Sequence, residues 1–175
     1  MKQAPREAAS ARGLRLAILR SLFNRPVTDG LVDGAREALA QMQADAARVT
    51  VFDVPGAFEL PLAARAAALC GRFDAVIALG AVIQGETDHY EHVAREAAAG
   101  LSAVGRETGV PVAFGVLTVR EAGQAERRAA PGPENKGAEA ARAAVLMVHT
   151  LRAIAGRPPR RRLAEKPARR PRRRG

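Results

Sequence analysis

The chain has 175 residues, 47% of them apolar, with one cysteine and a net charge of +10. That length holds one domain with a substantial core. A lone cysteine excludes an internal disulfide, and no apolar run is long enough to span a bilayer as a helix, so no membrane insertion is expected. The mixed polar and basic start, Met1 to Arg12, has no apolar signal core, and a cytoplasmic location is expected.

Residues 1–12 read as a flexible lead-in to a folded domain over 13–156. The run Leu14–Leu19 predicts a buried strand, ending at Ser21-Leu-Phe23-Asn24. Pro26 then precedes Thr28-Asp29, the expected cap of a helix over about 27–44. Val49–Val54 predicts a second strand, followed by Pro55-Gly-Ala-Phe58-Glu59 and a helix over about 57–70. Cys70 closes that alanine-rich helix and reads as a small core residue. Ala75–Leu79 predicts a third strand, stopping at Gly80 and a glycine-bounded loop, with a helix over about 90–108 ended by Gly109. Val112–Leu117 predicts a fourth strand, then a short helix at 121–129, a loop at 131–134 and a long helix over about 137–155. Apolar runs alternating with amphipathic segments imply an α/β fold, a four-stranded parallel sheet flanked by helices on both faces.

The basicity is not a property of the domain. Residues 157–175 hold nine Arg and one Lys against one Glu, which leaves the rest of the chain close to neutral. With four prolines and one leucine, this tail has too little apolar surface to fold alone and reads as disordered. It has three competing readings: a solubilising extension, a nucleic-acid-binding arm, or an arm for an anionic membrane or protein.

In an open parallel sheet, ligands bind beyond the carboxyl ends of the strands, and the chemically unusual residues collect there. Phe23 and Phe58 fall just past strand ends, where a planar ligand could lie against a ring, although each phenylalanine taken singly reads as core. Glu59 stands in an apolar setting and reads equally as a helix cap or as an acceptor for ligand N–H groups. Gly85-Glu86-Thr87 offers backbone N–H groups and a hydroxyl to an anion, but matches no nucleotide fingerprint. His89 follows as a proton-transfer group. His89 and His92 are three apart, but a metal needs more ligands than these, so no metal is expected. Arg128, before the 131–134 loop and Asn135-Lys136-Gly137, reads as a solvated helix face or as a phosphate clamp.

Taken together, these motifs resemble the lumazine synthase family of riboflavin biosynthesis over about Leu14 to Ala155. The markers are Phe23-Asn24, Val54-Pro-Gly-Ala-Phe-Glu-Leu-Pro61, Gly80-Ala-Val-Ile-Gln-Gly-Glu-Thr-Asp-His-Tyr90, Gly109-Val-Pro-Val-Ala-Phe-Gly-Val-Leu-Thr118, Gln124-Ala-Glu-Arg127 and Asn135-Lys-Gly137. The resemblance implies a flavodoxin-like three-layer sandwich. It also implies condensation of 5-amino-6-(ribitylamino)uracil with 3,4-dihydroxy-2-butanone 4-phosphate to 6,7-dimethyl-8-ribityllumazine, phosphate and water, with no cofactor. The assembly it implies is a pentamer, or a shell of about sixty subunits, with active sites between subunits. Its roles carry over as Phe23 stacking on the uracil, Ala57, Phe58 and Glu59 contacting uracil and ribityl chain, and Ala81, Val82 and Ile83 giving backbone contacts to the pyrimidine. Glu86 and Thr87 hold the phosphate, and His89 moves protons. Phe114 and Arg128 come from the neighbouring subunit, with Lys136 close to the phosphate.

Three places depart from the family pattern. Leu22 and Gln84 stand where arginines are common, and Ala129-Ala-Pro-Gly-Pro-Glu134 replaces a segment that usually carries a lysine. The expected consequence is a weaker anion site, or one whose lost charge the tail partly replaces. The rival reading is an inactive assembly on the same fold whose tail binds nucleic acid or another polyanion. The retained set of Phe23, Glu59, Thr87, His89, Phe114 and Arg128 argues for the enzyme.

Overall fold

Residues 9–156 are described by the computed structural model, and they build four parallel strands in the order β2-β1-β3-β4. The strands are β1 (Leu16–Ser21), β2 (Val49–Val54), β3 (Ala75–Ile83) and β4 (Val112–Val119). The helices are α1 (Arg25–Gln41), α2 (Leu60–Leu69), α3 (His89–Thr108), α4 (Ala122–Ala129) and α5 (Lys136–Ile154). Strand alternation divides the apolar side chains between two cores. Leu16, Ile18, Ile77 and Leu79 pack with α1, α4 and α5, whereas Ala17, Leu19, Val76 and Ala78 pack with α2 and α3. Fully buried leucines such as Leu31, Leu39, Leu60 and Leu101 each contribute about 2 kcal/mol from burial. The expected three-layer α/β sandwich is thus the observed fold.

Several boundaries differ from the sequence expectation for identifiable reasons. β1 runs to Ser21 because Arg20 and Ser21 still pair with Asp53 and Val54 of β2. β3 does not stop at Gly80: pairing with β4 continues through Ile83↔Val119, so the loop begins four residues later. Gly80 is a buried strand residue, where an added Cβ would stand 3.3 Å from Leu60 and 3.4 Å from Val116. Thr28-Asp29 does not cap α1. The helix starts at Arg25 after Asn24, the hydroxyl of Thr28 donates to the Arg25 carbonyl, and Asp29 pairs with Arg20 and Arg25. Cys70 is exposed, not core, because it lies past Ala67 and Ala68, the last buried positions of α2. Of residues 1–12, the first eight lie outside the described residues. Ala11 is fully buried and its N–H donates to the Met42 carbonyl, so the packed body begins before residue 13. The basic tail at 157–175 also lies outside the described residues.

Asn135-Lys136-Gly137 joins three helices. The buried Asn135 accepts from the Ala138 N–H at 3.0 Å, capping α5, and its amide donates to the carbonyls of Gly30, Ala129 and Ala130. Gly137 lies directly against α1, where an added Cβ would fall 1.9 Å from the Leu31 oxygen. The α1–α5 seam therefore tolerates no side chain at position 137.

Candidate active site

The order β2-β1-β3-β4 puts a topological switch between β1 and β3, since the chain leaves β1 toward β2 and later returns to the other side. The ladders there have different lengths. Pairing of β1 with β3 ends at Arg20↔Leu79, while pairing of β3 with β4 reaches Ile83↔Val119. Gly80, Ala81, Val82 and Ile83 thus have a strand partner on one side only. The Gln84 N–H donates to Val119 on the β4 side, so alternation turns the N–H and C=O of Ile83 the other way, into the crevice.

The crevice is braced from β1. Asn24 adopts a left-handed backbone, φ 57°, and its side-chain amide donates to the Ala81 carbonyl at 2.9 Å. That conformation costs about 1 kcal/mol for a non-glycine residue, and the hydrogen bond returns about as much. The brace is therefore held by its surroundings, notably Pro26 fixing the first turn of α1. Phe23 sits one residue earlier, its N–H donating to the Pro55 carbonyl at 3.2 Å, and its ring is 71% exposed.

The loop after β2 supplies the next wall. A 3-10 turn, Ala57–Glu59, runs straight into α2, with Pro61 in its first turn. Ala57 is buried, and an added Cβ on Gly80 would stand 3.6 Å from it, which sets this turn over the β3 tip. Phe58 is 57% exposed and Glu59 is exposed, with no capping bond from its carboxylate. The cap reading of Glu59 and the core reading of Phe23 and Phe58 are both overturned. The segment crosses the sheet rim with Ala57 and Leu60 turned into one core and Phe58 and Glu59 left outside it.

Glu86 and Thr87 lie exposed in the loop after β3, and His89 is the first residue of α3. The side chain of Asp88 does not cap that helix, and of its first N–H groups that of Glu91 donates to the Asp88 carbonyl at 2.9 Å. His92 Nδ1 lies 2.9 Å from an Arg95 guanidinium nitrogen. Among the described residues, no three His, Cys, Asp or Glu side chains are grouped as a metal would require. His149, in α5, contacts the Ser10 carbonyl at 2.7 Å and fastens the start of the body.

A second group forms at the free edge of β4. Phe114, 48% exposed, lines a cavity of about 240 Å3 with Thr118, Arg128, Lys136 and Glu139. Arg128 donates to the Gln124 carbonyl, and Lys136 pairs with Glu139. None of Phe23, Glu59, Thr87 or His89 lines this cavity. The candidate residues thus fall into two separate groups, one at the strand tips and one along the sheet edge.

Sequence reasoning did not foresee the roles of Asn24, Asn135 and Glu139. The signal for Asn24 was its place two residues before Pro26, where a residue tolerant of a left-handed backbone starts a helix. For Glu139 it was the three-residue spacing from Lys136.

The family model for 6,7-dimethyl-8-ribityllumazine synthase matches residues 13–152. That span holds all four strands and every candidate residue of both groups. The chain belongs to the 6,7-dimethyl-8-ribityllumazine synthase family, transferases of riboflavin biosynthesis.

Proposed function

We propose that this protein condenses 5-amino-6-(ribitylamino)uracil with 3,4-dihydroxy-2-butanone 4-phosphate, giving 6,7-dimethyl-8-ribityllumazine, phosphate and water. The observation that carries this reading is the crevice at β1–β3, where the one-sided tip of β3 lies between two exposed phenylalanines and a helix start bearing His89. Phe23 offers a face to the uracil ring. Ala57, Phe58 and Glu59 line the ribityl side, with the free carboxylate of Glu59 accepting from hydroxyls. Backbone groups of Ala81, Val82 and Ile83 read the pyrimidine edge. Glu86 and Thr87 hold the phosphate through N–H groups and the hydroxyl.

The uracil 5-amino group attacks the ketone and water leaves, forming an imine. Loss of a proton and of phosphate gives an enol, which tautomerises to a carbonyl. The ribitylamino nitrogen closes the ring on that carbon, losing a second water. Amine and ketone are already reactive, so the protein's main contribution is to hold them together. His89 relays the protons and the anion site eases phosphate departure.

The second half-site supplies Phe114, Arg128 and Lys136 from an adjacent subunit of a pentamer. The separation of the two groups within one chain supports this, as do the exposed Leu62, Leu69, Leu146 and Met147, apolar surface suited to burial between copies. Complementation tests the arrangement. Glu59→Ala and Arg128→Ala are each expected to lose most activity. Co-expressed in one oligomer they recover a substantial part, because some sites then draw intact residues from both chains. No recovery in mixed oligomers contradicts a shared site.

A second reading rests on the nine arginines at 157–175, an electrostatic arm suited to a polyanion. In an oligomer its copies act together, so weak single contacts add to useful avidity. This contact is an addition to the enzyme, which retains a full set of candidate residues.

A further inference from the structure

Lys136 is the one lysine among the described residues, in a body whose other strong cations are all arginines. It opens α5 and lines the cavity at the β4 edge. The charged groups of that lining are Arg128, Lys136 and Glu139. Glu139 follows Lys136 by one helical turn, and its carboxylate pairs with the ammonium. A cavity with two cations for an incoming anion thus already contains an anion, engaged with one of them.

Resting on the reading of this cavity as part of the phosphate site, we propose that Glu139 is a positioning residue that competes with phosphate for Lys136 and so sets how tightly the site holds its anion. Both partners are substantially exposed, Lys136 at 41% and Glu139 at 62% of their side chains, so the pair is loosely held and opens at little cost. The flexible lysine stem lets the ammonium swing from carboxylate to phosphate oxygen, which a rigid guanidinium fork does less readily. Arg128, with one N–H fixed on Gln124, provides the constant part of the grip. A dianion entering beside Glu139 gains the ammonium but meets the carboxylate. The carboxylate thus loosens the hold on any phosphate, ester or free, and so favours release of free phosphate after the bond to carbon breaks.

Titration calorimetry of the full-length oligomer with inorganic phosphate tests this, alongside steady-state kinetics with the phosphorylated ketone. Glu139→Gln is expected to tighten phosphate binding about three- to fivefold. It should lower KM for the phosphorylated ketone and strengthen inhibition by phosphate, with little change in kcat unless phosphate release becomes limiting. Glu139→Asp, which keeps the charge, should stay near wild type, and Lys136→Met added to Glu139→Gln should abolish the gain. Unchanged or weaker phosphate binding by Glu139→Gln, in a protein whose binding Arg128→Ala still impairs, overturns the role of Glu139 alone. Phosphate binding that Arg128→Ala leaves untouched removes the cavity from the phosphate site, and the role of Glu139 falls with it.

Discussion

Asn135 spends its whole side-chain amide inside the protein. Its oxygen caps α5, and its nitrogen serves carbonyls of α1 and of the turn after α4. Replacement by alanine removes the cap and leaves buried carbonyls without a donor. The expected loss is about 2–4 kcal/mol, read by urea or thermal unfolding. A loss under about 0.5 kcal/mol would show that water takes over the bonds. The Asn-Lys-Gly motif was legible in the sequence as a marker, but its two functions were not separable there. Asn135 and Gly137 hold the helix seam, and Lys136 alone faces the cavity. That division depends on which α1 backbone atoms lie opposite, and no local pattern encodes it. Phe23 and Phe58 show the opposite failure. Apolar character argued for the core, and only their place beyond the strand ends argued for the rim.

At the scale of elements, the strand tips are tied by charge as well as by backbone. Arg20 of β1 holds Asp53 of β2 with two bonds of 2.8 Å and also reaches Asp29 of α1. The hydrogen bonds from Arg20 hold the Asp53 carboxyl below its ordinary range. A depressed carboxylate contributes stability above its unfolded-state value and loses it as pH falls through the folded-state value. Asp53→Asn should therefore cost up to about 1 kcal/mol at neutral pH, since the pair is partly solvated, and the cost should vanish in acid below the ordinary carboxylate range. Denaturant midpoints at neutral and acid pH check this, and a difference independent of pH would assign it to packing. Element identity and order along the chain were legible because short continuous apolar runs alternate with longer amphipathic segments. The end of β3 was not. Gly80 resembles a strand stop, and the pairing that carries β3 to Ile83 comes from β4, more than thirty residues away in sequence.

At the scale of the molecule, the candidate residues fall into two separate groups, and Leu62, Leu69, Leu146 and Met147 are exposed apolar side chains. Under the proposed function, a neighbouring subunit brings Phe114, Arg128 and Lys136 to the crevice of Phe23, Glu59 and His89. No helix among the described residues is long and apolar enough to cross a membrane. The parallel sheet followed from the alternation of apolar runs and amphipathic segments, whereas its order β2-β1-β3-β4, and with it the switch point, is seen only in the structure. The proposed division of the site between subunits came only with the family resemblance, because the residues of one chain carry no record of which of its surfaces meet. The most direct measurement is formation of the fluorescent lumazine from the two substrates by the purified protein. Saturable product formation is expected, with His89→Ala slowed by about a hundredfold or less yet still above the uncatalysed rate. A folded, assembled protein that makes no lumazine above that background at high substrate would contradict the account.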